Sequence, residues 1–396
     1  MTYDQIPVVT AVSDIMTAYS ARTGLTVPVA PPRRYLWTDA FAVCNFLELY
    51  RQTGKSDFLA AARYLVDQVH FTLGRYSSTD SRRGWISGLD ESAGALHPTS
   101  GGLRIGKRLA ERQPDEPMDQ RVEWDRDGQY FHYLSKWMHA LSQVNGVTGE
   151  DRYHLWALEL AKASHAGFTY TPAQGGQKRM HWKMSVDLSR PLVASMGHHD
   201  ALDALVTYTE LSVVGRSHGR LAGDLDLEQE IADCQGMCAG QAWATDDPLG
   251  TGSLLADAYR LSQLQVLAHR DVSGPLSVSS LLADCATGLS AFVHSGTLSQ
   301  PAEYRLAFRE LGLAIGLHAV TRLKRLLGQN PDSFTRVEEL SGVLKMLDEF
   351  GYLRGEIETF WLDLSHQQSA TWCDHQDINA VMLATSLAPD GFLLIQ

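Results

Sequence analysis

The chain has 396 residues, of which 44% are hydrophobic and 20% charged, a globular composition that excludes a disordered or fibrous polypeptide. Its 34 Lys and Arg stand against 46 Asp and Glu, a net charge of −12 that argues against a broad nucleic-acid footprint. Five cysteines, no basic stretch at the start of the chain and no uncharged apolar run of roughly 20 residues predict a soluble, cytoplasmic protein without disulfides, leader or membrane span.

Helical periodicity dominates from the first elements onward. Residues 38–50 are apolar around much of a helix circumference, and a polar connector with Gly54 at the helix stop leads into 56–69. There Phe58, Ala61, Ala62, Leu65, Val66 and Val69 share one face, opposite Lys55, Arg63 and Asp67, which makes an amphipathic helix. A long irregular stretch, 75–123, precedes a second all-round apolar helix at 128–144. A second Gly-containing joint at 145–151 then opens an amphipathic helix at 151–165. Within the next irregular stretch, 171–197, the alternation of Met180, Trp182, Met184 and Val186 marks 178–188 as the best β candidate. Apolar helices follow at 200–214, 253–267, 311–323 and 377–387, with amphipathic ones at 225–239 and 336–350. From Leu311 to Val320 the only titratable residue is His318, and Gly312 and Gly316 would let a neighbouring helix approach closely.

A helix that is apolar on every side is buried on every side, so six of them alternating with amphipathic helices predict two concentric layers. The expected fold is an all-α toroid of about six hairpins, a single domain over 1–396, with a small β-hairpin insertion. The segments 75–123 and 171–197 both feed the start of an inner helix and should gather at one end of such a toroid, where loops of this length are usually functional.

Two motifs lead away from cofactors. Gly101-Gly-Leu-Arg-Ile-Gly-Lys107 has the spacing of a phosphate-binding loop, but Arg108 stands where Ser or Thr would hold magnesium and no apolar strand precedes it, so it reads as a Gly-rich surface loop. Cys234 and Cys238 lie four apart on a helix, as buried free thiols often do, and the four closely paired ligands of a structural zinc site are missing. Lanthionine-cyclase-like toroids hold zinc with Cys and a Cys-His pair, a pattern that Asp374 interrupts between Cys373 and His375. No metal and no cofactor is expected.

Polar and aromatic residues concentrate just before and at the first turns of the inner helices. The first opens with Arg33-Arg34-Tyr-Leu-Trp37-Thr-Asp39, and the second with Trp124-Asp-Arg-Asp127-Gly-Gln129-Tyr130-Phe-His132. The third opens with His198-His199-Asp200, the sixth with Trp372-Cys-Asp-His375-Gln-Asp377. Asp at a helix start caps free N–H groups, but capping alone does not call for Trp37, Trp124 and Trp372 beside the carboxylates.

Trp37-Thr-Asp39 and the stretch from Trp124 to Tyr130, set in this alternation of helices, resemble the six-hairpin glycosidase superfamily. These (α/α)6 toroids include unsaturated glucuronyl hydrolases and, more distantly, N-acylglucosamine 2-epimerases. The resemblance implies a funnel lined by inner-helix N-termini that admits a small-molecule or oligosaccharide substrate. Glycoside hydrolysis needs one carboxylic acid and one carboxylate, for which Asp39, Asp127, Asp200 and Asp377 are the candidates with His199 on the wall. Trp37, Trp124, Tyr130, Trp182 and Trp372 would stack on sugar faces. Gln129, His132 and Asn379 would meet hydroxyl groups, and Arg34, His198, His375 and Asp377 are also expected to bind substrate. Two alternatives remain open: a sugar epimerase or isomerase using histidine as acid and base, and a non-catalytic α-toroid that binds a partner.

Overall fold

A computed structural model describes residues 8–26, 32–217 and 225–396. The helices, in chain order, are α1 (Val8–Thr23), α2 (Leu36–Thr53), α3 (Ser56–Leu73), α4 (Glu91–Leu96), α5 (Gln120–Glu123), α6 (Phe131–Thr148), α7 (Asp151–Phe168), α8 (Asp200–Ser217), α9 (Glu228–Cys238), α10 (Pro248–Ala268), α11 (Val278–His294), α12 (Ala307–Gln329), α13 (Val337–Asp348), α14 (Tyr352–Leu362), α15 (Ala370–Asp374), α16 (Gln376–Leu387) and α17 (Asp390–Leu393). Five short strands, β1 (Gln129–Tyr130), β2 (Thr169–Tyr170), β3 (Arg179–Met180), β4 (Lys183–Met184) and β5 (Pro191–Val193), complete the elements. No helix among the described residues is long and apolar enough to cross a membrane.

The chain divides into two compact units. The first contains Ser20–Leu47 and Lys55–Met237; the second contains Cys238–Ile395 with Glu48–Gly54 and Met1–Tyr19. In the first unit α6 is buried on all sides, through Phe131, Leu134, Trp137, Met138, Leu141 and Val144, and it packs on α7 and α8. Its partner α8 buries Leu202, Leu205, Val206 and Leu211 completely. By contrast α3 buries one stripe, Ala62, Leu65, Val66, Val69 and Leu73, and leaves Tyr64 and Phe71 exposed. Each fully buried Leu or Val contributes about 1.5–3 kcal/mol, so helices like α6 and α8 hold the unit together and α3 covers them.

Two local departures from the sequence reading bear on the site. The second inner helix begins at Phe131 rather than at 128, because Gly128 takes φ +146° and Gln129–Tyr130 pairs antiparallel with Lys183–Met184 as a strand. The β candidate 178–188 divides between two sheets. Arg179–Met180 pairs with Thr169–Tyr170, while Lys183–Met184 lies between β1 and β5. The change of partner falls at Trp182, whose N–H reaches the Val193 and Ser195 carbonyls at 3.2 and 2.8 Å.

In the second unit α10, α12 and α16 carry the core. A Cβ on Gly252 would lie 2.1 Å from the Gly312 carbonyl oxygen, and one on Gly316 would lie 2.5 Å from that of Gly252. The two glycines that the sequence singled out are therefore where α12 meets α10 backbone to backbone. Three helices of eight residues or more, α1, α11 and α14, have no counterpart in the sequence reading, nor do the short α4, α5, α15 and α17; α11 and α14 each bury only a narrow stripe (Leu281, Leu282, Cys285, Leu289 and Phe292 in α11; Leu353, Ile357 and Trp361 in α14).

Candidate functional site

The site lies in the first unit and is built from its two long loops. Arg82 draws them together, donating to Asp80 and Glu111 in its own loop and, at 2.9 Å, to Asp187 in the other. The second Glu111 oxygen accepts the Val186 N–H at 2.6 Å. Lys183, fully buried, donates to the Glu123 carboxylate at 3.0 Å and to the Glu123 and Arg126 carbonyls at 2.7 and 2.9 Å. The loops 75–123 and 171–197 therefore lie at one end, beside the starts of α6 and α8, as their positions before inner helices implied.

Several residues expected to meet substrate instead hold this end together. Asp127 is buried: one oxygen accepts from Arg104 at 2.8 Å, the other from the Gly106, Lys107 and Gly128 N–H groups at 3.0, 3.3 and 3.1 Å. Asp39 is likewise buried, accepting from Arg34 at 3.3 Å and the Tyr35 N–H at 2.9 Å, while Arg34 also donates to the Thr23 carbonyl at 2.6 Å. Gln129 bonds the Leu103 N–H and the Gly101 and Val186 carbonyls, at 2.9, 3.1 and 2.7 Å. Trp37 is interior, packed on Phe41 at 4.7 Å. Asp39, Asp127, Arg34, Gln129 and Trp37 are thus committed to the fold. Buried polar groups demand this satisfaction, and sequence spacing does not reveal who provides it.

The same contacts explain the motif 101–107. Gly102 has φ +78°, and a Cβ there would sit 2.1 Å from Gln129 Oε1; a Cβ on Gly106, at φ +94°, would sit 2.3 Å from the Arg34 carbonyl oxygen. The glycines admit buried neighbours rather than phosphate, and Gly102–Ile105 is interior rather than a surface loop.

What remains is a band of aromatic rings that is exposed at one end and buried at Tyr130 in its middle. Trp124, 51% exposed, meets Trp182 edge-on at 4.8 Å, and Trp182 lies 5.8 Å from Tyr130. Tyr130 continues to His132 and Tyr133 at 5.4 and 5.3 Å, and the Tyr133 hydroxyl bonds that of Tyr35 at 2.6 Å. Trp182, His132, Tyr133 and Tyr35 are half-buried. Lys107 Nζ stands 5.4 Å above the Tyr35 ring, and burial lowers its pKa. Burial raises Tyr35 to about 12 and Tyr130 further, with Asp125 adding to both shifts, so both phenols are protonated and Asp125 lies within electrostatic reach of them.

Asp200 stands at the end of this band. Its carboxyl is buried, its Oδ1 lies 3.7 Å from His132 Nδ1, and its Oδ2 finds no hydrogen-bond partner. The chain makes room for it: a Cβ on Gly197 would lie 2.4 Å from Oδ2. Burial first, and the neighbouring Asp203 charge second, push Asp200 up to about 8, so it is protonated at neutral pH. Burial lowers His132 to about 4, which leaves its imidazole neutral. One turn deeper, Lys136 Nζ bonds Asp203 at 2.6 Å. The band therefore combines ring faces suited to stacking with one carboxylic acid able to donate a proton.

The other expected residues divide. His199 is half-buried and His198 exposed, their rings 4.7 Å apart just before α8. Trp372, His375 and Asp377 belong to the second unit, where Trp372 is buried on Trp361 at 5.6 Å and His375 meets Phe308 at 5.6 Å. Tyr35, Lys107, Asp125, Tyr133, Lys136 and Asp203 were missed. For Lys136 and Asp203 a signal existed, since they lie four residues after His132 and three after Asp200, one helical turn onward. Cys234 and Cys238 are both buried on α9. Among the described residues no group of three or more His, Cys, Asp or Glu is placed to hold a metal ion.

No protein-family model matches the chain, and no curated protein does either. Solved structures do. The GH76A α-1,6-mannanase of Salegentibacter sp. HEL1_6 matches with a TM-score of 0.52 at 12% identity, over 97% of this chain and 99% of that one. An inactive variant of that mannanase, in complex with α-1,6-mannotetrose, matches at 0.53 and 13% identity over the same shares. A GH76 α-mannanase of Bacteroides thetaiotaomicron matches at 0.53 and 7% identity, over 98% of this chain and 97% of that one. At such identities the likeness is one of fold: the chain has an (α/α)6 toroid architecture with small β insertions.

Proposed function

We propose that this chain is a carbohydrate-active enzyme that cleaves a glycosidic bond, with Asp200 as the acid that protonates the leaving oxygen. One observation carries the reading: a buried carboxyl, protonated at neutral pH and with one oxygen unpartnered, at the end of a half-exposed aromatic band. The exposed Trp124 and half-buried Trp182 offer flat apolar faces to the C–H faces of a sugar. Asp125, exposed next to Trp124, is the carboxylate we assign as the acid's counterpart, to activate water or attack the anomeric carbon. Of the expected candidates Asp39, Asp127, Asp200 and Asp377, this assignment keeps Asp200 and puts Asp125 in place of the others. The shared fold supports a sugar substrate. The Salegentibacter variant that holds α-1,6-mannotetrose is inactive after two consecutive aspartates were changed to alanine, which makes α-linked manno-oligosaccharides the first substrates to try.

The test is release of reducing ends from a panel of α- and β-linked oligosaccharides that includes α-1,6-mannotetraose. The expected result is turnover that declines above about pH 8, where Asp200 loses its proton, and a loss on the order of 10² or more in Asp200→Asn. Turnover of no sugar, or full activity in Asp200→Asn, overturns the proposal. A second reading, epimerisation at a sugar carbon, is favoured by the neutral imidazole of His132 beside a protonated Asp200, which places a proton acceptor next to a proton donor. A changed sugar without new reducing ends selects it.

A further inference from the structure

Four side chains on α6 and α8 form two rungs of a ladder. His132 and Lys136 stand one turn apart on α6, and Asp200 and Asp203 one turn apart on α8. The deeper rung is closed: Lys136 Nζ and Asp203 Oδ1 are 2.6 Å apart, with both side chains about 5% exposed. The outer rung is open: His132 Nδ1 and Asp200 Oδ1 are 3.7 Å apart, and Asp200 Oδ2 is unpartnered. A buried ion pair one turn away is a rigid spacer, because breaking it leaves an uncompensated charge in the interior. It is also a fixed pair of opposite charges beside the acid.

We infer that the Lys136–Asp203 ion pair is the positioning device of the site, clamping α6 to α8 so that the His132–Asp200 gap stays open to a ligand hydroxyl or glycosidic oxygen, and setting the charge that Asp200 feels. The inference rests on the reading of Asp200 as the proton donor. The same two charges also bear on His132, which Asp203 raises and Lys136 lowers. The groups facing Asp200 are His132 and Lys136 from α6, the Gly197 N–H from the segment before α8, and Asp203 on α8 itself, while His199 bears on His132. Of the two members of the pair, Asp203 raises Asp200 more than Lys136 lowers it.

That asymmetry fixes an order that a merely structural ion pair would not produce. The experiment follows the Asp200 carboxyl by ¹³C NMR in the full chain labelled at aspartate, with the signal assigned by its disappearance in Asp200→Asn. Loss of the Asp203 charge leaves the ammonium to favour the Asp200 anion. Its titration midpoint in Asp203→Asn should therefore fall by about one pH unit or more. Lys136→Met should raise the midpoint, Lys136→Arg should keep it near the wild-type value, and the double variant Lys136→Met/Asp203→Asn should fall between Asp203→Asn and wild type. Should either single variant fail to fold, the double and Lys136→Arg still carry the test. A midpoint that does not move, or that moves the same way in Asp203→Asn and Lys136→Met, overturns the inference whatever the sugar assay gives. The ordered shifts, with the alkaline limb of turnover moving alongside, support it. The ordered shifts with no turnover on any sugar instead overturn the reading of Asp200 as a glycosidic acid, and with it the catalytic meaning of the pair.

Discussion

Asp127 and Asp200 both open the way into an inner helix and both are buried, the first among aromatic residues in the sequence and the second after two histidines. Their surroundings make them opposites. Asp127 accepts one guanidinium and three backbone N–H groups, so the loop from Arg104 to Lys107 is stapled to the start of the second inner helix. Asp200 faces a neutral histidine across 3.7 Å and keeps one oxygen without a partner. A cluster in the second unit repeats the first pattern. There Glu310 takes Arg305 at 2.6–3.2 Å and the Trp361 indole N–H at 2.8 Å, with the guanidinium 3.6 Å above Phe360. A carboxylate among aromatics is therefore no signature of chemistry. An unanswered hydrogen-bonding capacity next to accessible rings is the better one, because the fold tolerates it only at a cost.

The comparison breaks most directly through stability. Asp127→Ala leaves Arg104 buried without its counter-charge and should cost about 3–5 kcal/mol in chemical denaturation. Asp200→Asn should leave the fold intact and remove turnover by a factor on the order of 10² or more. The reverse pattern would exchange the roles of the two residues. The pH dependence of stability sharpens the contrast. The folded chain keeps a proton on Asp200 up to about pH 8, whereas an unfolded Asp releases it near its ordinary value of 3.8; the stability this contributes is present at low pH and is lost as pH rises through that window. His132 acts the other way: lowered from 6.5 to about 4, it weakens the fold as pH falls through that interval. In Asp200→Asn the thermal midpoint should lose its decline toward pH 8 and keep its decline on the acid side. Gly102→Ala tests the staple from the backbone, since φ +78° and the Gln129 amide 2.1 Å from the new Cβ should cost about 1–3 kcal/mol. The smallest effect is expected at Trp124→Ala. Its ring is 51% exposed, so the thermal midpoint should hold while KM for a sugar substrate rises about 2- to 10-fold.

Much of the architecture was legible in the chain because burial writes itself into periodicity. Residues 128–144 read as apolar all round and α6 is buried all round; 56–69 read as one-sided and α3 is one-sided. Gly312 and Gly316 announced a close approach that α10 supplies. Element starts were less legible. Pro248 with the Asp247 cap opens α10 five residues before the apolar run, and Gln129–Tyr130 leaves the helix to pair with Lys183–Met184, a partner more than fifty residues away.

For the proposed site, the sequence by itself pointed to the first turns of the inner helices and the loops that feed them, a set that includes Trp124, Tyr130, His132, Trp182 and Asp200. Only the tertiary structure decided which carboxyl was left open. Arg104 reaches Asp127 across 23 residues, the Val186 carbonyl takes the Gln129 amide across 57, and Lys136 meets Asp203 across 67. Hydrogen-bond satisfaction and desolvation depend on neighbours in space, whereas composition and spacing record only neighbours along the chain.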